Sequence, residues 1–202
     1  MLSQVRPAIV STVLFTLLLG LAYPLAVTGI GGLAFPRQAA GSLIRDRSGQ
    51  VIGSALIGQG FARPEYLHPR PSAAGSSGYD ASASAGSNYG PLNPDLAKRV
   101  RGDAEALRAS TSQPLVPDDA ITTSGSGLDP DISPAYALLQ AERIARARGV
   151  QPASVRAVIS ANLAQPLLGF IGQPRINVLK TNLALDAQAS TRLRMGSAAT
   201  RE

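Results

Sequence analysis

A chain of 202 residues that holds one long apolar run has room for a membrane segment and a single domain beside it. The 19 lysines and arginines exceed the 13 acidic residues for a net charge of +6, yet they are scattered and lack stacking aromatics, which argues against a nucleic-acid partner. No cysteine is present, so no disulfide framework supports the fold, and the 20 glycines and 15 prolines predict long irregular loops.

Residues 1–7 form a short tail, and residues 8–35 predict a transmembrane anchor helix. No charged residue stands between Arg6 and Arg37, and the run exceeds the roughly 20 apolar residues that cross a bilayer. The apolar part of a cleaved signal is only about 7–15 residues long. The small residues Ala39, Ala40 and Gly41 keep a cleaved leader as the alternative. Pro24 predicts a kink that frees the carbonyl near Gly20. Gly29, Gly31 and Gly32 suit close packing against another helix. Arg6 on one side faces Arg37, Arg45 and Arg47, offset by Asp46, on the other, so charge does not orient the anchor.

Residues 36–187 read as one loop-rich soluble domain of the α+β class, and residues 188–202 as a polar, frayed tail. Ser42–Arg45 and Gln50–Ile57 flank a Ser48-Gly49 turn and predict a hairpin. From Ala73 to Pro94 the chain is mostly Gly, Ser, Ala and Asn, with Tyr79 and Asp80 favouring an ordered loop. Asn93-Pro94 opens a helix through Leu96, Val100, Ala104 and Leu107. Ala120–Thr123 is a short strand candidate. Ser133-Pro134 opens another helix, which Gly149 ends. Pro152 starts a further one. Gly169–Gly172 turns the chain, and Arg175–Leu179 begins a last element read as helix from Val178, with Asn177 as its cap.

No enzyme centre assembles from these residues. The one histidine, His68, sits in a proline-rich segment and reads as a surface residue rather than a metal ligand. No phosphate-loop motif occurs, and Ser126 lacks the histidine and acid of a hydrolase. Asp118, Asp119, Asp129 and Asp131 read as turn-capping residues before cation ligands. The candidate ligand surface is the turn Ser124-Gly125-Ser126-Gly127, whose N–H groups suit phosphate, with Gln140 and Arg143 one helical turn apart beyond it. An arginine pairs with phosphate, and an amide bonds a ribose or base edge. The competing reading of Gln140 and Arg143 is a solvated helix face.

From Val10 to Asp186 the chain resembles the C subunit of the Kdp-type potassium-transporting ATPase. The resemblance is carried by Gly53–Gln59, Arg70-Pro71-Ser72, Gly86–Pro94, Thr122–Pro134, Gln140 with Arg143, and Arg175–Leu179, in that order and spacing. It implies a non-catalytic accessory subunit of an ATP-driven potassium importer in the bacterial inner membrane, single-pass, with its soluble domain extracytoplasmic. The implied partners are an A-type subunit carrying the potassium path and a B-type catalytic ATPase. The C-type subunit supports their assembly and raises the ATP affinity of the B-type subunit. Gln140 and Arg143 match the Gln-x-x-Arg element to which nucleotide binding is attributed, so ATP, bound jointly with the catalytic subunit, is the implied ligand. The alternative is a stand-alone anchored protein that binds a nucleotide or cation.

Overall fold

The mostly apolar run from Val5 to Ala34 winds into one rod, within which the Ser11 hydroxyl donates to the Pro7 and Ala8 carbonyls of the same helix. In the computed structural model, which describes residues 2–46, 48–111 and 113–199 (side chains from Ser3 to Gln188), the rod is Val5–Ala34. It comprises α1 (Val5–Leu17), a π-helical turn (Leu18–Ala22) and α2 (Tyr23–Ala34), with no buried residue in any of the three. At a rise of about 1.5 Å per residue its length exceeds the roughly 30 Å hydrocarbon layer. The strain expected at Pro24 is taken up one turn earlier. There the Tyr23 N–H bonds the Leu18 carbonyl, and the widened turn relieves the clash between the proline ring and the Gly20 carbonyl.

After α3 (Pro36–Ala39) come β1 (Leu43–Arg45) and β2 (Val51–Ser54), the expected hairpin. Its turn is fixed by Asp46, whose Oδ1 accepts the N–H groups of Ser48 (2.8 Å) and Gln50 (3.0 Å). The chain divides into two compact units, Met1–Ile52 and Gly53–Glu202.

The second unit contains α4 (Pro94–Thr111), β3 (Asp131–Ile132), α5 (Pro134–Leu139), α6 (Ala141–Arg148), α7 (Pro152–Ala161), β4 (Leu163–Ala164), β5 (Arg175–Asn177) and α8 (Val178–Ala199). Together these helices and small sheets make an α+β domain. Strands β3, β5 and β4 form an antiparallel sheet in that order, with Ile176 opposite both Ile132 and Leu163. Ile176 is fully buried and meets Ile144, Val155, Ile159 and Leu185 in the core. Each such side chain stabilises the fold by roughly 1.5–3 kcal/mol. Ala137, Ala141 and Ala145 let α5–α7 approach closely.

The caps at Ser133, Gly149 and Asn177 are as expected. Ser133 Oγ accepts the Tyr136 N–H at 3.0 Å, Gly149 is left-handed at φ +61°, and Asn177 Oδ1 accepts the Lys180 N–H at 3.1 Å. Three expectations change. Ala120–Thr123 is no strand: a 3-10 turn (Asp118–Ala120) closes there, with Thr122 Oγ1 donating to the Asp118 carbonyl. The helix from Ser133 to Gly149 breaks at Gln140, between α5 and α6. Helix α8 continues beyond Asp186 to Ala199, where fraying was expected.

The Gly/Ser-rich stretch after Ala73 is ordered by Ser72. Its Oγ donates to the Gly127 carbonyl (2.6 Å) and accepts the N–H groups of Ala74 (3.2 Å) and Tyr79 (2.9 Å). Gly127 has φ +67°, and a Cβ there falls 2.5 Å from the Ala85 carbonyl oxygen and 2.7 Å from the Ala74 nitrogen. Both obstacles are backbone. Gly127→Ala is expected to destabilise the domain by about 1–3 kcal/mol, read as a lowered thermal midpoint; an unchanged midpoint shows the two loops to be independent.

Candidate functional site

Residues 63–69 carry prolines at 64 and 69, and the Tyr66 N–H closes a turn on the Arg63 carbonyl at 3.2 Å, so the segment joins neither helix nor strand. Leu67 is nevertheless completely buried, so its backbone groups need partners inside the protein. Two side-chain amides supply them. From α8, Asn182 accepts the Leu67 N–H at 2.7 Å and donates to the Leu67 carbonyl at 3.1 Å. From the α5–α6 break, Gln140 accepts the His68 N–H at 2.7 Å and donates to the His68 carbonyl at 3.0 Å. The pair does for successive residues what a neighbouring strand would do.

Arginines complete the clamp. Arg143 donates to the carbonyls of Pro64 (2.6 Å) and Tyr66 (3.1 Å) and to Gln140 Oε1 (2.6 Å). Arg148 donates to the Glu65 carbonyl (2.7 Å) and pairs with Asp186 (2.8 Å). The guanidiniums of Arg63 and Arg148 lie 4.8 and 5.2 Å from the centre of the Tyr66 ring. Gln140 and Arg143 are therefore neighbours, as their spacing requires, but neither belongs to a freely solvated helix face: Gln140 is only 3% exposed.

A cleft of about 860 Å³ opens beside Arg143. Arg146 and Arg156 line it together with Leu115, Leu138 and Leu139. Glu142, which also lines it, pairs with Arg156 at 3.2 Å. The Ser124–Gly127 turn is not part of this cleft. Its Gly127 N–H bonds the Ser124 carbonyl, Ser126 Oγ accepts the Leu128 N–H, and Ser84 donates to the Ser126 carbonyl. Gly125 lies against Gly86.

The clustered acids are used as turn and pairing groups. Asp119 accepts the N–H and hydroxyl of Ser133 (2.6 and 2.8 Å). Asp129 pairs with Arg70 (3.0 Å), and Asp131 with Arg175 (2.9 Å) and Asn177 (3.1 Å). Among the described residues no group of three or more His, Asp or Glu side chains comes together to hold a metal ion.

A family model described as the c chain of the K+-transporting ATPase, KdpC, matches residues 5–187. The chain belongs to the KdpC family. It is 65% identical over 188 residues to a potassium-transporting ATPase KdpC subunit of Caulobacter sp. strain K31, covering 93% of this chain and 95% of that protein. A KdpC subunit of Beijerinckia indica is 60% identical over 190 residues, with the same coverage. One of Variovorax paradoxus is 53% identical over 190 residues, covering 93% and 98%. Membership of KdpC makes this chain a subunit of a potassium-transporting ATPase, and the spanning-length helix Val5–Ala34 is consistent with a membrane-anchored one.

Sequence reasoning found Gln140 and Arg143 but missed Asn182, Arg148 and Tyr66. A signal for Asn182 was present: an amide three residues from both Leu179 and Leu185, on the side of α8 that those leucines bury. Replacing Asn182 with Ala orphans two buried backbone groups of Leu67. This is expected to cost about 2–4 kcal/mol in urea unfolding, well above an exposed ion-pair deletion.

His68 lies against the same clamp, its Nε2 3.2 Å from Arg143 Nη1 and 3.1 Å from the Arg63 carbonyl. Burial first, and then the Arg143 charge, hold the imidazole below its ordinary pKa of 6.5. The folded state thus resists protonation that the unfolded chain accepts near pH 6.5. Its contribution to stability is complete above that pH and declines as pH falls below it. His68→Gln is expected to flatten the fall of the thermal midpoint between pH 7 and about 5; an unaltered slope assigns the fall to carboxylates.

Proposed function

We propose that the chain is the non-catalytic accessory subunit of an ATP-driven potassium importer in the bacterial plasma membrane. Val5–Ala34 anchors it, and its folded domain docks on an A-type subunit that carries the potassium path and a B-type catalytic ATPase. It supports their assembly and raises the ATP affinity of the B-type subunit. The observation that carries the reading is how the Gln140–Arg143 pair is used: its polar groups hold the Pro64–His68 backbone, as suits a shape-keeping subunit better than a catalytic one.

The nucleotide part of the proposal divides between these residues. Gln140 acts indirectly, by keeping the α5–α6 junction in shape, since its amide is committed to His68. Direct contact with a triphosphate requires this domain to face the cytoplasm rather than the extracytoplasmic side that the resemblance implies. It then falls to the cleft beside Arg143, where the exposed Arg146 and the half-exposed Arg156 supply positive charge. The turn Ser124–Gly127 contributes by holding its loop, its N–H at Gly127 being bonded already.

In the purified complex, Arg146→Gln with Arg156→Gln is expected to raise KM for ATP about three- to tenfold while kcat stays unchanged, the signature of lost uniform binding. An unchanged KM with the complex intact removes direct nucleotide contact and leaves assembly as the contribution of this domain.

A further inference from the structure

The turn at Leu167–Ile171 is explained neither by the core nor by the clamp. Four large apolar side chains stand on it, with Leu167 67%, Leu168 74%, Phe170 76% and Ile171 50% exposed. A contiguous apolar patch of this kind marks an interaction surface rather than ordinary scatter. The turn is also preformed: Leu167 and Ile171 exchange backbone hydrogen bonds at 3.0 and 2.9 Å, and the Phe170 N–H bonds the Leu167 carbonyl at 3.3 Å.

Its geometry comes at a steric cost. Leu168 has φ +54° and Gly169 φ +81°, the paired positive values that primed turns place on Gly, Asn or Asp. A leucine at the first of these positions fits the turn poorly and contributes nothing to the core. Its side chain points its apolar surface outward, 74% exposed.

We infer that residues 167–171 form a rigid apolar knob that seats in an uncharged socket on another subunit of the potassium-transporting ATPase. The inference rests on reading the chain as one subunit of a larger pump. The charge pattern selects a protein socket over lipid. No charged residue occurs from Gln165 to Pro174, and the next cation, Arg175, is paired with Asp131 at 2.9 Å. Surface segments that enter the bilayer interface combine such apolar residues with free Lys or Arg that meet anionic headgroups, and this turn has no such cation beside it.

The test places a photo-crosslinking benzoylphenylalanine at Phe170 in the full chain, co-expressed with the rest of the pump, followed by mass spectrometry of the adduct. Co-purification of the unsubstituted chain with larger membrane subunits checks the pump reading separately. A covalent adduct to a peptide of another subunit supports the knob. An adduct to lipid, an adduct to a second copy of this chain, or no adduct in an intact complex overturns it. A second arm compares Leu168→Asn and Phe170→Asp. Leu168→Asn, which relaxes the turn, is expected to keep or raise the thermal midpoint, and both variants to weaken retention of the other subunits about tenfold. Full retention by both folded variants also overturns the inference.

Discussion

Burying an irregular backbone that no strand accompanies is the constraint on which the soluble domain depends. Leu67 goes into the core with its peptide groups, and water cannot follow. In most folds a sheet meets this demand. Here Asn182 and Gln140 meet it from two different helices, and Arg143 and Arg148 take up carbonyls on the flank. Such an arrangement couples elements far apart in the chain, since the amide of α8 and the amide at the α5–α6 junction must both sit at bonding distance from one short segment. Hydrophobic contact is non-directional, whereas these bonds fix both distance and angle.

That coupling accounts for the break at Gln140. A continuous helix from Pro134 to Arg148 would tie the orientation of Gln140 to that of its neighbours on one regular spiral. At the junction the Gln140 N–H bonds the Ala137 carbonyl at 3.3 Å, one residue short of the α-helical partner, and this tightened turn lets α5 and α6 be positioned separately around the segment they hold.

How much of this was legible in the sequence follows from the range of the interactions. The long apolar helix, Val5–Ala34 against the expected 8–35, the hairpin at Asp46–Gln50 and the caps at Ser133, Asn177 and Gly149 rest on local chemistry that the residues make legible. The sheet of β3, β5 and β4 joins pieces of two or three residues, too short for any alternation to register. Ala120–Thr123 has strand-like composition, but Asp119 and Thr122 bond backbone and cap groups instead, and that competition closes a turn. Gln140 and Arg143 were identifiable as a pair, whereas their targets 72 to 79 residues earlier were not. Spacing reveals which side chains are neighbours; it is silent on the backbone they reach across the fold.

The widened turn at Leu18–Ala22 changes how the anchor is to be drawn. One residue added to a helical turn rotates everything on one side of it by about 100° relative to the other. On an uninterrupted wheel Gly32 would fall roughly 160° from Thr16, on the opposite face; the widened turn brings the two to within roughly 60°. The rod has two azimuths, and any helix running alongside its whole length meets a different set of side chains in each half.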